Sequence, residues 1–533
     1  MGAQPFANLA GGLDQRYDVV VCGAGSSGSV IARRLAENPD VRVLLLEAGG
    51  TDDLTSVSEA SQWPLNLGGE LDWNFRSEPD PLLNGRSIPF SMGKVLGGGS
   101  SINLMIWARG HQSDWDHFAT ESGEPMWGYQ PVLDLYRSIE DWRGSGEANY
   151  RGTGGPIFVQ PAPNVHPLAV ATVDAARAAG IPTYQSPNGH MMEENRGAAI
   201  TDLRWRDGKR LSLFGTYITP HLDKPNLTVV PQALVTRVLF DGTRATGVEV
   251  VHGGVVHRVT ADAEVVLSLG AIHTPKVLMQ SGIGDQAELR RVGITTRQHL
   301  PGVGRNFQDH FGFDCVWQFP ENVVGSTQVG STLFWDSGAA GVEGPDLFAC
   351  LGPFPKATPE NAAKFGLPEN SWVLFGSPTH PKSHGRLRLS GPDPSDPIRI
   401  EANALSHPDD LNAAIACVEF LREIGNSAEL RPFVEREVMP GDLTGAELET
   451  YLRSAVTTYW HESGTAKMGR DHMSVVDGHL RVYGIDNLRV ADASIMPRIT
   501  SGNTMAPCVV IGERASQFIK AEHRFSDRCR PKF

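Results

Sequence analysis

The pattern of apolar and polar positions sorts the chain into recognisable units. Tyr17-Asp-Val-Val-Val-Cys22 is short, apolar and β-branched, and it predicts a buried strand. A helical stretch from Ser29 to Glu37 follows, then a second strand from Val41 to Leu46. Glu264-Val-Val-Leu-Ser-Leu-Gly270 repeats the strand signature. The run from Ala271 to Gly284 starts as a helix and ends at glycines, so a second strand–turn–helix returns to the same sheet. Between 311 and 400 the short alternating runs Arg386-Leu-Arg-Leu and Ile398-Arg-Ile predict antiparallel strands. Pro408 to Ile424 predicts a helix, with proline at its start where a missing N–H costs nothing. Leu411, Ala414, Ile415 and Val418 keep the three–four spacing that buries one helix face.

These elements interleave without a visible repeat or low-complexity linker, and 533 residues make roughly two to four domain-sized units. A hydrophobic content of 40% supports well-buried cores. The formal charge of −14 argues against nucleic acid or an anionic membrane surface as the main partner. The short basic run Arg528–Lys532 reads as a solvated tail, and Met1 to Arg16 as a loose arm without the apolar centre of a signal peptide. No window approaches the roughly 20 apolar residues of a membrane helix. Six cysteines are scattered without a C-x-x-C, which excludes a disulfide framework or zinc site of the usual spacing. His461-Glu462 begins like a zinc-binding H-E-x-x-H, but Thr465 stands where the second histidine belongs; no metal is expected. The sequon at Asn226 reads as chance. A cytoplasmic protein is expected.

Candidate chemistry sharpens this picture. Gly23-Ala-Gly25-Ser-Ser-Gly28 joins the first strand to the first helix, with Gly23 for the tight turn, Gly25 for close approach of a pyrophosphate and Gly28 for helix–strand packing. Glu47 ends the second strand about 20 residues on, placed to accept from a ribose diol. That combination predicts a dinucleotide site without separating NAD from FAD. Gly93-Lys-Val-Leu-Gly-Gly-Gly-Ser-Ser-Ile-Asn103 offers a side-chain-free loop whose N–H groups can face an electron-rich ring. Near the C-terminus His461 and Asn503 each sit on a glycine-containing turn, with a strand-like run, Leu488 to Pro497, between them.

With these runs in hand the chain resembles the glucose–methanol–choline (GMC) oxidoreductase family, in a branch like the bacterial choline dehydrogenases and alcohol oxidases. The resemblance is carried by Gly93–Gly110, Gly270–Gly284, Gly302–His310 and the block Tyr459 to Arg514, and it spans nearly the whole chain. It implies an α/β fold in which a Rossmann-like FAD-binding domain is interleaved with an α+β substrate domain on a mostly antiparallel sheet. The FAD-binding domain is expected over 16–160, 225–315 and 455–523, including a lid at 51–90, and the substrate domain over 161–224 and 316–454. The resemblance also implies cofactor contacts at Gly23, Gly25, Ser26, Ser27, Gly28, Glu47, Ala48, Trp73, Val95, Gly98, Asn103, Met105, Val235, Trp460, Asp492, Ala493, Asn503, Thr504 and Met505.

An alcohol releases a hydride from carbon only as its hydroxyl loses its proton. His461, with an ordinary pKa of about 6.5, suits the base. The Asn503 amide suits the developing alkoxide as donor, and flavin N5 would take the hydride. Ile102 stands where some family members carry a histidine bonded to the flavin, so the FAD here is expected to be non-covalent. Glu462 replaces a common proline; its carboxylate either raises the pKa of His461 or faces solvent, solvent being favoured. Tyr459 and Trp460 are expected to border the flavin, with Tyr459 taking space oxygen would need. Trp317, Phe319, Phe334, Trp335, Phe348 and Phe354 offer an aromatic lining that favours an aromatic or hydrophobic primary alcohol over a cation such as choline. The electron acceptor is O2 or a quinone, with a lean to O2. The alternatives are a flavin-containing hydroxynitrile lyase-like enzyme or a non-catalytic flavin-binding protein.

Overall fold

A computed structural model describes residues 16–323, 330–338, 343–352 and 354–525. The N-terminal arm before Arg16 and the run Arg528–Lys532 lie outside them. The strand Arg16–Cys22 is buried from Val19 onward, which explains its continuous rather than alternating apolar pattern. It pairs in parallel with Val43–Leu46 on one side and with the strand Val255–Leu267 on the other. Leu227–Val230 and Leu488–Val490 add further parallel strands. The long strand Val255–Leu267 is used twice, because its N-terminal half carries an antiparallel meander of Ala233–Asp241 and Arg244–His252.

The first helix is Ser26–Leu35, three residues earlier than its hydrophobic spacing suggests, because the turn at Gly25 already serves as its N-cap. The second strand starts at Val43 rather than Val41, whose N–H is spent on a turn to Asn38 O at 3.2 Å. The first helix packs on the C-terminal helix Met505–Glu522, and a Cβ added at Gly512 would stand 2.8 Å from Ser27 O. The glycine permits that approach.

The second sheet runs Arg436–Met439, Phe311–Gln318, Ser371–Pro378, Leu347–Gly352, Ser331–Trp335 and Gly197–Ile200, every neighbouring pair antiparallel. The helix Pro408–Gly425 covers it, one residue longer than its sequence pattern, with the His407 ring accepting from Asp409 N at 3.2 Å at its start. Ala414 and Val418 face inward as expected, joined by Cys417 and Leu421, whereas Leu411 and Ile415 are only partly buried. Arg386–Leu389 and Ile398–Glu401 do pair antiparallel, as a hairpin separate from the large sheet. The short strand Thr457–Thr458 pairs with Phe311–Gly312 and delivers the chain to His461.

Among the described residues five cysteines are free and buried, and no cluster of side chains could hold a metal. No helix there is long and apolar enough to cross a membrane. Asn226 is buried, and its amide donates to the carbonyls of Asn38 and Val41 at 2.9 Å, so this side chain is structural.

Candidate active site

Loops of both sheets line one cavity with about 1870 Å³ of empty space that opens to solvent. Part of its wall is Gly23, Gly25, Ser26 and Ser27, at the start of a ten-residue helix that has no side-chain cap. Its first N–H groups and its dipole therefore remain for an anion. The second glycine loop backs onto the first: Gly98 has φ +54°, and a Cβ there would lie 2.9 Å from Gly25 Cα. Glu47 lines the same wall, its carboxylate accepting from Ala24 N and Gly49 N, both at 2.9 Å. Burial raises this carboxyl to about 7 despite those bonds. Each oxygen keeps a lone pair for a diol. The residues present fit a dinucleotide.

Another part of the wall carries His461 and Asn503, which the fold brings together with the Asn503 amide donating to His461 Nε2 at 3.1 Å. On its other side His461 Nδ1 lies 2.8 Å from His310 Nδ1, and His310 Nε2 lies 2.8 Å from Thr379 O. A carbonyl only accepts, so His310 donates from Nε2 and its neutral ring accepts at Nδ1. His461 must then donate from Nδ1 and carry its lone pair at Nε2, toward the cavity. Burial lowers His310 to about 3 and, with His310 and Lys356 adding to it, holds His461 well below the ordinary histidine range. Both rings are therefore neutral at neutral pH, and the tautomer of His461 is fixed by a backbone carbonyl two steps away.

Backbone contacts position the pair. Asp309 accepts from His461 N at 2.9 Å and from the Thr458 hydroxyl, and Thr458 Oγ1 also accepts from Trp460 N at 2.6 Å. These bonds hold Trp460 at φ +61°, a left-handed conformation that a bulky residue adopts only when its surroundings impose it. Opposite, Asp114 accepts from Ser501 N at 2.7 Å and from His380 Nε2 at 2.7 Å, setting the turn through Gly502 (φ +86°) that presents Asn503. The helix Met505–Glu522 begins immediately afterwards, also without a side-chain cap, so a second helix N-terminus faces the cavity.

Of the other sequence-derived candidates, Ala48, Trp73, Gly98, Asn103, Val235, Trp460, Asp492, Ala493, Thr504 and Met505 line the cavity. Gly28, Val95 and Met105 do not. Gly28 packs instead, since a Cβ there would meet Gly23 O at 1.9 Å. Val95 is fully buried beside Gly50, and Met105 takes φ +61° with its N–H bonded to Asn103 Oδ1 at 2.9 Å. Asp492 spends its carboxylate on Gly270 N, Thr274 and Ser494 N, so it shapes the turns around the site.

Two expectations need correction. Glu462 neither faces solvent nor raises His461. It is buried in the cavity wall with both carboxylate oxygens unpartnered, and burial, with Asp309 nearby, pushes its carboxyl far up. The proposed aromatic lining is mostly core. Trp317 stacks on Trp372 at 4.5 Å and Trp335 packs on Phe420 at 4.6 Å, while Phe319 and Phe348 are buried and Phe334 borders a smaller neighbouring cavity. Phe354 does line the site, stacked 5.4 Å from Trp63 of segment 51–90, and Phe375 joins it. His310, Asp309 and Lys356 were not picked out as site residues from sequence, although His310 ends the run Gly302–His310 that carries the family resemblance. Tyr459 lines the cavity but donates its hydroxyl to Phe375 O, on the second sheet.

Comparison with known proteins agrees with this geometry. Residues 17–312 and 381–512 match models of the GMC oxidoreductase family. The chain is 35% identical to the mitochondrial choline dehydrogenase of Homo sapiens, covering 100% of this chain and 94% of that protein. It is 36% identical to the oxygen-dependent choline dehydrogenase of Brucella suis biovar 1 (strain 1330), covering 94% and 95%. Among solved structures, pyridoxine 4-oxidase from Mesorbium loti superposes with a TM-score of 0.89 at 32% identity, covering 95% and 99%.

Proposed function

Because the chain belongs to the GMC oxidoreductase family and is an FAD-dependent enzyme that oxidises CH–OH groups, we propose that His461 is its base and Asn503 the donor to the substrate oxygen. The observation that carries this is the tautomer chain from Thr379 O through His310 to the lone pair on Nε2 of His461, where the Asn503 amide also donates. When bound, FAD accepts the hydride that leaves the alcohol carbon. His461 Nε2 takes the hydroxyl proton, and His310 steadies the imidazolium by accepting from Nδ1. The amide of Asn503 has a second N–H for the oxygen on which charge develops, and the N-terminus of Met505–Glu522 favours that charge.

The glycine loops and Glu47 would hold FAD, with Ile102 offering no nucleophile for a covalent link. We assign the FAD-binding domain to 16–160, 225–315 and 455–523 and the substrate domain to 161–224 and 316–454. Membership of the two large sheets supports this, with Phe311–Gln318 at the seam, while the small sheet of Glu140–Trp142, Ile157–Pro161 and Asp202–Leu203 crosses the boundary at 160. The stack of Trp63 on Phe354 supports segment 51–90 as a lid. A primary alcohol is the substrate we favour. O2 is the acceptor, aided by the charge His461 gains and by the tethering of the Tyr459 hydroxyl to Phe375 O. A cytoplasmic site accords with the free cysteines.

The test is an anaerobic titration of the purified yellow protein with a panel of alcohols, followed by admission of air. Bleaching by a primary alcohol and prompt recolouring are expected. Flavin that stays oxidised with every alcohol would favour the lyase or non-catalytic readings, and slow recolouring hastened by a quinone would replace O2.

A further inference from the structure

Among the described residues, the substrate side of the cavity contains one lysine. Lys356 follows the strand Leu347–Gly352, and its backbone N–H donates to Asp314, which fixes the loop against the sheet. Its ammonium sits 3.8 Å from the ring centre of Phe375, 4.1 Å from that of Trp460 and 5.1 Å from that of Tyr459. No described carboxylate lies within 4.0 Å of it, whereas the exposed Lys382 has one at 2.6 Å, from Asp409. Three aromatic faces stabilise a cation but supply no hydrogen-bond acceptor for its N–H groups. Of the acids behind it, Asp309 holds His461 N and Thr458, and Asp314 holds the Lys356 backbone through one oxygen while its other oxygen has no hydrogen-bond partner. Burial raises these two carboxyls to about 7 and about 6, weakening the counter-charge, and lowers Lys356 itself to about 8, which leaves it mostly charged at neutral pH.

Resting on the reading of His461 as base, we propose that Lys356 selects the substrate: a primary alcohol carrying a carboxylate, whose anion pairs with the Lys356 ammonium while its hydroxyl meets His461 and Asn503. A quaternary ammonium such as choline would be placed against a like charge in a partly desolvated site. The aromatic faces of Phe375, Tyr459 and Trp460, which would otherwise suit such a cation, are already occupied by Lys356.

The experiment compares kcat/KM of the holoenzyme for 3- and 4-(hydroxymethyl)benzoate, benzyl alcohol, (4-(hydroxymethyl)phenyl)trimethylammonium and choline. The better carboxylate should exceed benzyl alcohol by about 10-fold to 100-fold, the scale of one charge-assisted hydrogen bond, and both cations should fall below benzyl alcohol. Lys356→Met should lower the carboxylate-to-neutral ratio toward one, Lys356→Arg should retain it, and Lys356→Glu should invert it toward the cation. Flavin content and melting temperature establish that each variant is folded. A ratio near one in the parent, choline as the best substrate, or a ratio unchanged in both Lys356→Met and Lys356→Glu would overturn the proposal. If no alcohol in the panel reduces the flavin, the assignment of His461 fails first; if benzyl alcohol reduces it but the carboxylates are not preferred, only the role of Lys356 fails.

Discussion

The two halves of the cavity are built by different means. The dinucleotide half is made of main chain: two glycine loops stacked on each other, an uncapped helix start, and one carboxylate at a strand end. Within each glycine loop the key residues lie a few positions apart, and Glu47 ends the strand that follows the first helix, so each motif is read directly. The chemical half is made of side chains drawn from distant segments. His461, His310, Asn503 and Thr379 form one hydrogen-bonded chain, yet His310 and His461 are 151 positions apart. A backbone site must keep a local pattern because geometry demands glycine at fixed steps. A side-chain site needs only that the fold converge, and its members can sit in any run.

The difference predicts separable failures. His461→Ala should cut the rate of anaerobic flavin reduction by at least about 10²-fold, the scale of a lost general base, while flavin content stays near the parent's. Reduction at parental rate would remove His461 from the mechanism. Glu47→Ala should do the reverse on a smaller scale: FAD weaker by about tenfold, in keeping with a lost hydrogen bond to a charged group, with the rate per bound flavin intact. Full flavin occupancy after dialysis against high salt would show that another group holds the ribose.

The same division explains what was legible beforehand. Gly23, Gly25, Glu47 and the helix Pro408–Gly425 were readable because their signals are local. His461 and Asn503 were readable through the family pattern around them. The ring bonded to His461 was not, because His310 looks like any other histidine until the strand Phe311–Gln318 pairs with Thr457–Thr458 and brings the two segments side by side. Aromatic residues misled for a related reason. Composition marks Trp317 or Phe348 as large and apolar, but only packing decides whether they fill the core or face a cavity. The usual behaviour of glutamate favours solvent for Glu462, and its burial in the cavity wall is a tertiary effect.

The central claim is that His461 enters the reaction neutral, with its lone pair at Nε2. Its charged form is disfavoured by burial and by the groups around it, so its pKa is depressed and the ring remains a competent base as pH falls through the ordinary histidine range. The direct measurement is the rate of anaerobic flavin reduction at saturating benzyl alcohol across pH, a neutral substrate that leaves Lys356 without an ion to bind. The account predicts a plateau that continues below pH 6.5, with the acid limb appearing only beneath it. An inflection at or above pH 6.5, with reduction lost as the histidine protonates there, would contradict it.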